Sequence, residues 1–243
     1  ENRILKKYLK VKFYQEWRNF MGSKAILFDL DGTLVDSSET LSSFVGYLCE
    51  KYAKQNVVRI NGKNYDLAKP KDLKAIFPEP YYQFYELIGF NWVRDKLLIK
   101  WEFNKFLMGN IAPLILGMDG IVEKLFLAGY KLGVVTSSTQ PVTFATLVQH
   151  GLKNRFGSII CEEDVENPKP HPEPIIKCLA ELEADKEGSI YWGDLPGDIE
   201  CAKAAGVRSI AVTWGFGTRQ RLATAEPHEL ATDIESLERI LGL

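Results

Sequence analysis

Apolar residues fall along this chain in two rhythms. Lys24-Ala-Ile-Leu-Phe-Asp29 is a short continuous apolar run ended by acidic and glycine residues, the pattern of a parallel strand buried on both faces. Tyr130–Thr136, Ser158–Cys161, Ser189–Asp194 and Arg208–Thr213 repeat it. Around them lie segments with helical apolar spacing, at 119–128, 140–150, 172–183 and 197–205. This alternation predicts an α/β fold, a doubly wound parallel sheet with helices on both faces. From 38 to 112 the pattern turns mostly helical and rich in aromatic residues, including Tyr81, Tyr82, Tyr85, Trp92 and Phe103. It predicts a smaller α-helical domain inserted into a core domain made of 23–37 and 113–243. Within the insertion Val57–Pro70, with Asn61-Gly62, is the least regular stretch and reads as a loop or hairpin. Residues 1–22 set Leu5, Tyr8, Leu9, Phe13, Trp17 and Phe20 among basic side chains, an amphipathic extension ending near Gly22. A helix on the protein surface is the plainer expectation for it, and attachment to a membrane or partner the other.

Length and charge narrow the classes. A chain of 243 residues can bury one substantial core and carry an insertion. It is 46% hydrophobic and 26% charged with a formal net charge of −2. No apolar run is long enough to cross a bilayer. The near-neutral balance gives no broad attraction for nucleic acid, and none is expected as a partner. Cys49, Cys161, Cys178 and Cys201 are scattered without CxxC pairing, which suits thiols in a reducing compartment. With no stretch laid out as a signal peptide, the expected location is cytoplasmic. His150, His171 and His228 lack metal-ligand spacing, and ordinary surface or capping roles are expected. No phosphate loop or dinucleotide fingerprint is present, so a kinase or dehydrogenase lacks its parts.

The acidic residues carry the chemistry. Asp29-Leu30-Asp31-Gly32-Thr33 follows a predicted strand, at the strand end where open α/β sheets bind ligands. Gly32 permits a sharp turn that could aim both carboxylates at one ligand. One could attack a phosphorus atom while the other protonates the leaving oxygen and later activates water. A helix-capping turn or a calcium loop is the plainer alternative, although Gly32 and the preceding strand fit a calcium loop poorly. Gly193-Asp194-Leu-Pro-Gly-Asp198 ends another strand. Its paired carboxylates fit either a hard cation such as Mg²⁺ or the capping of the helix that follows. Thr136-Ser137 and Lys169 stand at further predicted loops as donors for an anion.

In this order and spacing, Asp29-Leu-Asp-Gly-Thr, Val-Val-Thr136-Ser, Lys169-Pro and Gly-Asp194-x-x-x-Asp198 resemble the four motifs of the haloacid dehalogenase-like hydrolase superfamily. The resemblance covers 24–243, and the helical insertion is similar to the phosphoglycolate phosphatase-like branch, with its Rossmann-like core. It implies an Mg²⁺-dependent phosphatase acting on a small phosphorylated metabolite, such as phosphoglycolate or a sugar phosphate, through an aspartyl-phosphate. By the same resemblance Asp29 is the nucleophile and a metal ligand, Asp31 the acid/base and a ligand through its carbonyl, and Asp194 the third ligand. Asp198 supports the metal from behind. Thr136 and Lys169 hold the phosphoryl group, with Leu30, Gly32, Thr33 and Ser137 lining its site. Two other readings stay open: a phosphomutase of the β-phosphoglucomutase type, and a non-catalytic metal-binding protein. Either a monomer or a homodimer is compatible with the sequence.

Overall fold

The computed structural model describes residues 24–77 and 81–242. The amphipathic extension expected at 1–22 therefore lies outside the described residues.

The chain enters at strand β1 (Lys24–Phe28) and passes at once into helix α1 (Ser38–Lys51). Strands β2 (Val57–Ile60) and β3 (Lys63–Asp66) form an antiparallel hairpin. Its turn residues Asn61 and Gly62 both have positive φ, 50° and 82°, as a two-residue hairpin turn requires. Helices α2 (Pro70–Ile76), α3 (Gln83–Leu87) and α4 (Trp92–Leu107) follow. The rest of the chain alternates: α5 (Met118–Leu127), β4 (Lys131–Val135), α6 (Gln140–Gln149), β5 (Ser158–Ile160), α7 (Glu173–Glu181), β6 (Asp185–Gly193), α8 (Pro196–Ala205) and β7 (Arg208–Val212). It ends with α9 (Arg219–Thr224), β8 (Glu229–Ala231) and α10 (Ile234–Leu241).

Six strands make one parallel sheet in the order β5-β4-β1-β6-β7-β8. Alternate residues of β1 supply two different layers. Ile26 and Phe28 join Leu132, Val134, Trp192 and Ile210 on one face, while Ala25 and Leu27 join Val135, Ile160 and Tyr191 on the other. This is why the sequence shows an unbroken apolar run there. Each such large side chain contributes roughly 1.5–3 kcal/mol by leaving water. Phe28 meets the edge of Trp192 with ring centroids 4.6 Å apart.

The insertion closes around an apolar cluster that includes Phe44, Leu48, Leu73, Phe84, Phe90 and Ile99, joined by Phe216 from beyond β7. Glu102, fully buried in the insertion, accepts hydrogen bonds from Tyr47, Lys51 and Tyr52 at 2.7, 2.6 and 2.5 Å. Burial pushes this carboxyl up, but those hydrogen bonds outweigh it and hold the group at about 2.

The two connections between the insertion and the sheet run side by side. Val35 and Leu114 form an antiparallel bridge, Asp36 N–H donates to the Pro113 carbonyl and Ile115 N–H to the Leu34 carbonyl, both at 2.9 Å.

Two features depart from the sequence reading. β6 begins at Asp185 rather than Ser189, with a register shift against β1, because its first four residues are exposed and carry no apolar signal. The elements after Thr213 lie outside the sequence reading: α9 and β8 are too short to show a period, whereas α10 carries one, with Ile234, Leu237, Ile240 and Leu241 packed on the core. Among the described residues no helix is long and apolar enough to cross a membrane.

Candidate active site

β1 delivers Asp29 to the carboxyl end of the sheet, where its N–H still donates to the Trp192 carbonyl at 2.8 Å. The chain then turns back on itself. Leu34 and Val35 N–H groups both donate to the Leu30 carbonyl, and Gly32 adopts φ +84° with its N–H on the Val35 carbonyl at 2.8 Å. A Cβ at Gly32 would lie 2.3 Å from Asp194 Oδ2, so glycine serves both the left-handed turn and the close approach. The Leu30 side chain is sunk in the apolar core, leaving only its backbone to face the site. Thr33 is buried with its hydroxyl 3.5 Å from Asp194 Oδ1.

Lys169 comes from the loop before α7 and ties the cluster together. Its ammonium donates to Asp29 Oδ1 and Asp198 Oδ1, each at 2.6 Å, and to the Tyr191 hydroxyl at 3.1 Å. Tyr191, on β6, stands 3.0 Å from both the Val135 carbonyl and Asp198 Oδ1. The other Asp198 oxygen accepts the Leu195 N–H at 3.0 Å, so this acid caps α8 while it holds the lysine. Asp194 accepts the Phe216 N–H at 2.6 Å.

One oxygen from each of Asp29, Asp194 and Asp198 lies within 4.8 Å of the others, and all three acids are buried. Burial, only partly offset by Lys169 and reinforced by Asp198 and Asp31, pushes Asp29 up to about 7. Asp194 is raised well above the usual carboxylate range by burial, then by the charges of Asp29 and Asp198. For Lys169, burial pulls downward, but Asp198 and Asp29 outweigh it and keep the ammonium charged. Three carboxylates against one ammonium leave surplus negative charge in an all-oxygen donor set, the chemistry that suits a hard divalent cation.

Above this cluster opens a cavity of about 950 Å³ between sheet and insertion. Asp29, Asp31, Thr136, Ser137 and Lys169 line its floor, and aromatic residues of the insertion line its roof. Asp31 accepts a hydrogen bond from the Ser138 hydroxyl at 2.5 Å, and Ser138 N–H donates to Thr136 Oγ1 at 3.0 Å. Polar contacts join roof to floor. Glu162, after β5, accepts from Tyr81 at 3.1 Å and pairs with Lys100 at 2.8 Å. Arg221 Nη1 donates to the Phe77 carbonyl at 2.7 Å, and Thr139 donates to Asn104.

The structure thus gathers Asp29, Lys169, Asp194 and Asp198 into one cluster and sets Asp31, Thr136 and Ser137 around the same cavity. Sequence reasoning missed Ser138, Tyr191, Glu162 and the Phe216 N–H. Tyr191 reads as strand core between Ile190 and Trp192, and a main-chain donor leaves no trace in residue type. In the Thr136-Ser-Ser run only the backbone path decides which hydroxyl meets Asp31.

Known proteins resemble this chain over most of its length. Residues 26–212 match the family model described as haloacid dehalogenase-like hydrolase. The pyrophosphatase PpaX of Anoxybacillus flavithermus is 32% identical over 229 residues, covering 92% of this chain and 99% of that protein. PpaX of Bacillus cereus is 29% identical over 223 residues, covering 91% and 98%. Among solved structures, a hydrolase of the haloacid dehalogenase-like family from Streptococcus pneumoniae superposes with a TM-score of 0.70 at 23% identity, covering 91% of this chain and 98% of its own.

Proposed function

The chain belongs to the haloacid dehalogenase-like hydrolases, and from that premise we propose that it hydrolyses a phosphomonoester of a small metabolite, with Asp29 as nucleophile. The observation that carries the reading is the 2.6 Å contact of Lys169 with Asp29 on the floor of the cavity. It supports a carboxylate whose anionic form is favoured by the adjacent cation, a cation that the phosphoryl oxygens can share.

In this reading an Asp29 oxygen attacks phosphorus, the bond from phosphorus to the ester oxygen breaks, and Asp31 gives its proton to the departing alcohol. Asp31, now a carboxylate, takes a proton from water as that water attacks the aspartyl-phosphate, releasing phosphate and restoring Asp29. The Thr136 and Ser137 hydroxyls and Lys169 hold the phosphoryl oxygens, with the backbone of Leu30, Gly32 and Thr33 around them. Asp198 keeps Lys169 in place. Asp29 and Asp194, with the Asp31 carbonyl, would hold Mg²⁺, and when bound it supplies the positive charge that lets the buried acids and the phosphate share one site. Residues 23–37 and 113–243 form the catalytic domain in this reading, and 38–112 the cap that excludes bulk water. The four buried thiols suit a cytoplasmic protein.

Release of inorganic phosphate in the presence of Mg²⁺ tests the proposal across phosphoglycolate, sugar phosphates and pyrophosphate, the last being what the relatives' name specifies. Asp29→Asn is expected to lower turnover by at least about 10³-fold while the circular dichroism spectrum stays native. Turnover retained in that variant would remove Asp29 as nucleophile.

A further inference from the structure

We propose that the roof of the cavity is a pocket for the alcohol part of the substrate, and that this part carries a flat aromatic group. The inference rests on the phosphomonoesterase reading above and names the substrate class it would serve.

Size is the first argument. At about 950 Å³ the cavity sits at the upper end of the range for small-molecule sites. A phosphoryl group with a two-carbon acid, or a second phosphate, would leave most of it empty. Chemistry is the second. An acidic leaving group needs a cation in the roof, yet each lysine or arginine among the described lining residues already has an oxygen partner. Lys100 is paired with Glu162 at 2.8 Å, Arg221 donates to the Phe77 carbonyl at 2.7 Å, and Lys169 is held between Asp29 and Asp198 at 2.6 Å. A second anionic group would have to share Lys100 or Lys169 with a carboxylate already in contact, and Arg221 with the Phe77 carbonyl.

What the roof offers instead is ring surface. Trp92 stacks against Tyr82 and Tyr85, each at 5.7 Å with interplanar angles of 18° and 12°, while Tyr81 meets it edge-on at 84°. Phe44 and Phe90 are buried away from the cavity, whereas Tyr81, Tyr82 and Trp92 line it and stay partly exposed. Rings that brace one another in this way lose little freedom on binding, and they favour a planar guest in stacked or edge contact.

Two primary-alcohol esters with leaving groups of similar basicity separate this pocket from the catalytic floor. With Mg²⁺ present, phenethyl phosphate is expected to exceed ethyl phosphate in kcat/KM by at least about tenfold, as burial of one phenyl ring warrants. Phenethylphosphonate, which cannot be hydrolysed, should likewise bind at least about tenfold tighter than ethylphosphonate when followed by calorimetry. Trp92→Ala should shrink both ratios to below about threefold. Equal affinity for the two phosphonates overturns the aromatic pocket, whatever the enzyme hydrolyses. Selective phosphonate binding without turnover of either ester sustains the pocket and defeats the hydrolytic reading. Pyrophosphate or phosphoglycolate turned over with higher kcat/KM than phenethyl phosphate overturns the substrate class while leaving the hydrolysis intact.

Discussion

Lys169 stands 2.6 Å from Asp29 and presents the same ammonium to Asp198 at 2.6 Å. Removing it strips three buried carboxylates of a side-chain cation in direct contact with two of them. Lys169→Met is expected to lower kcat by about 10²–10³-fold. It should also destabilise the metal-free protein by roughly 3–5 kcal/mol, the cost of breaking a buried ion pair. Phosphate-release kinetics and urea unfolding in chelator check the two effects, and a variant within tenfold of the native kcat would remove Lys169 from the reaction.

Asp29 gives a pH dependence whose sign follows from its burial. Its folded value of about 7 lies above the usual 3.8, so the folded protein holds this proton more tightly than the unfolded chain. Metal-free stability is therefore greatest toward the acidic end of that window and is lost as pH rises through about 7. Asp194 is raised as well and adds in the same direction. Glu102, held at about 2, contributes the opposite slope only below the usual glutamate range, outside this window. Calorimetry in chelator should show a higher Tm at about pH 5.5 than at about pH 8, with Mg²⁺ narrowing the gap. A flat Tm across that interval without metal contradicts the assigned burial.

Gly215 lies against the acid cluster. A Cβ there would sit 2.1 Å from Asp194 Oδ2, the oxygen that accepts the Phe216 N–H at 2.6 Å. The carboxylate cannot yield without losing that bond. Gly215→Ala should cost about 1–3 kcal/mol in stability, as overpacking does. It should also raise the Mg²⁺ concentration for half-maximal activity by at least about tenfold. An unchanged metal requirement would show that Asp194 is not a ligand.

Ser138 positions Asp31 through a 2.5 Å hydrogen bond. Ser138→Ala is expected to lower kcat by about tenfold with little change in KM, because the acid/base loses its orientation in the reacting complex rather than its contact with bound ester. Ser138→Thr should recover most of the rate. A larger effect on KM than on kcat would assign Ser138 to substrate binding instead.

The strand ends that carry Asp29, Thr136 and Asp194 are legible in the sequence because both signals are local: an apolar run, then a polar residue beside a turn former. Lys169 is legible through the prolines around it. Less visible is everything that depends on where the backbone goes afterward. The Asn61-Gly62 hairpin is legible as an irregular stretch, whereas the three residues of β8 are too few to show a period. Tyr191 is hidden for the opposite reason, since a tyrosine inside a buried strand resembles packing until its hydroxyl is seen between Lys169 and Asp198. The aromatic crowding of the insertion is plain from the sequence, but its split between rings that fill the lobe and rings that face the cavity requires the fold.

The paired connections at Val35 and Leu114 constrain how the two parts of the molecule can separate. Independent tethers would let the upper lobe drift or rotate in any direction. A strap of two hydrogen-bonded segments resists sliding and shear, leaving a door-like swing about one axis as the cheapest movement. Since that strap begins six residues after Asp29, each swing would pull on the turn that aims Asp31, coupling entry of a ligand to alignment of the proposed proton donor.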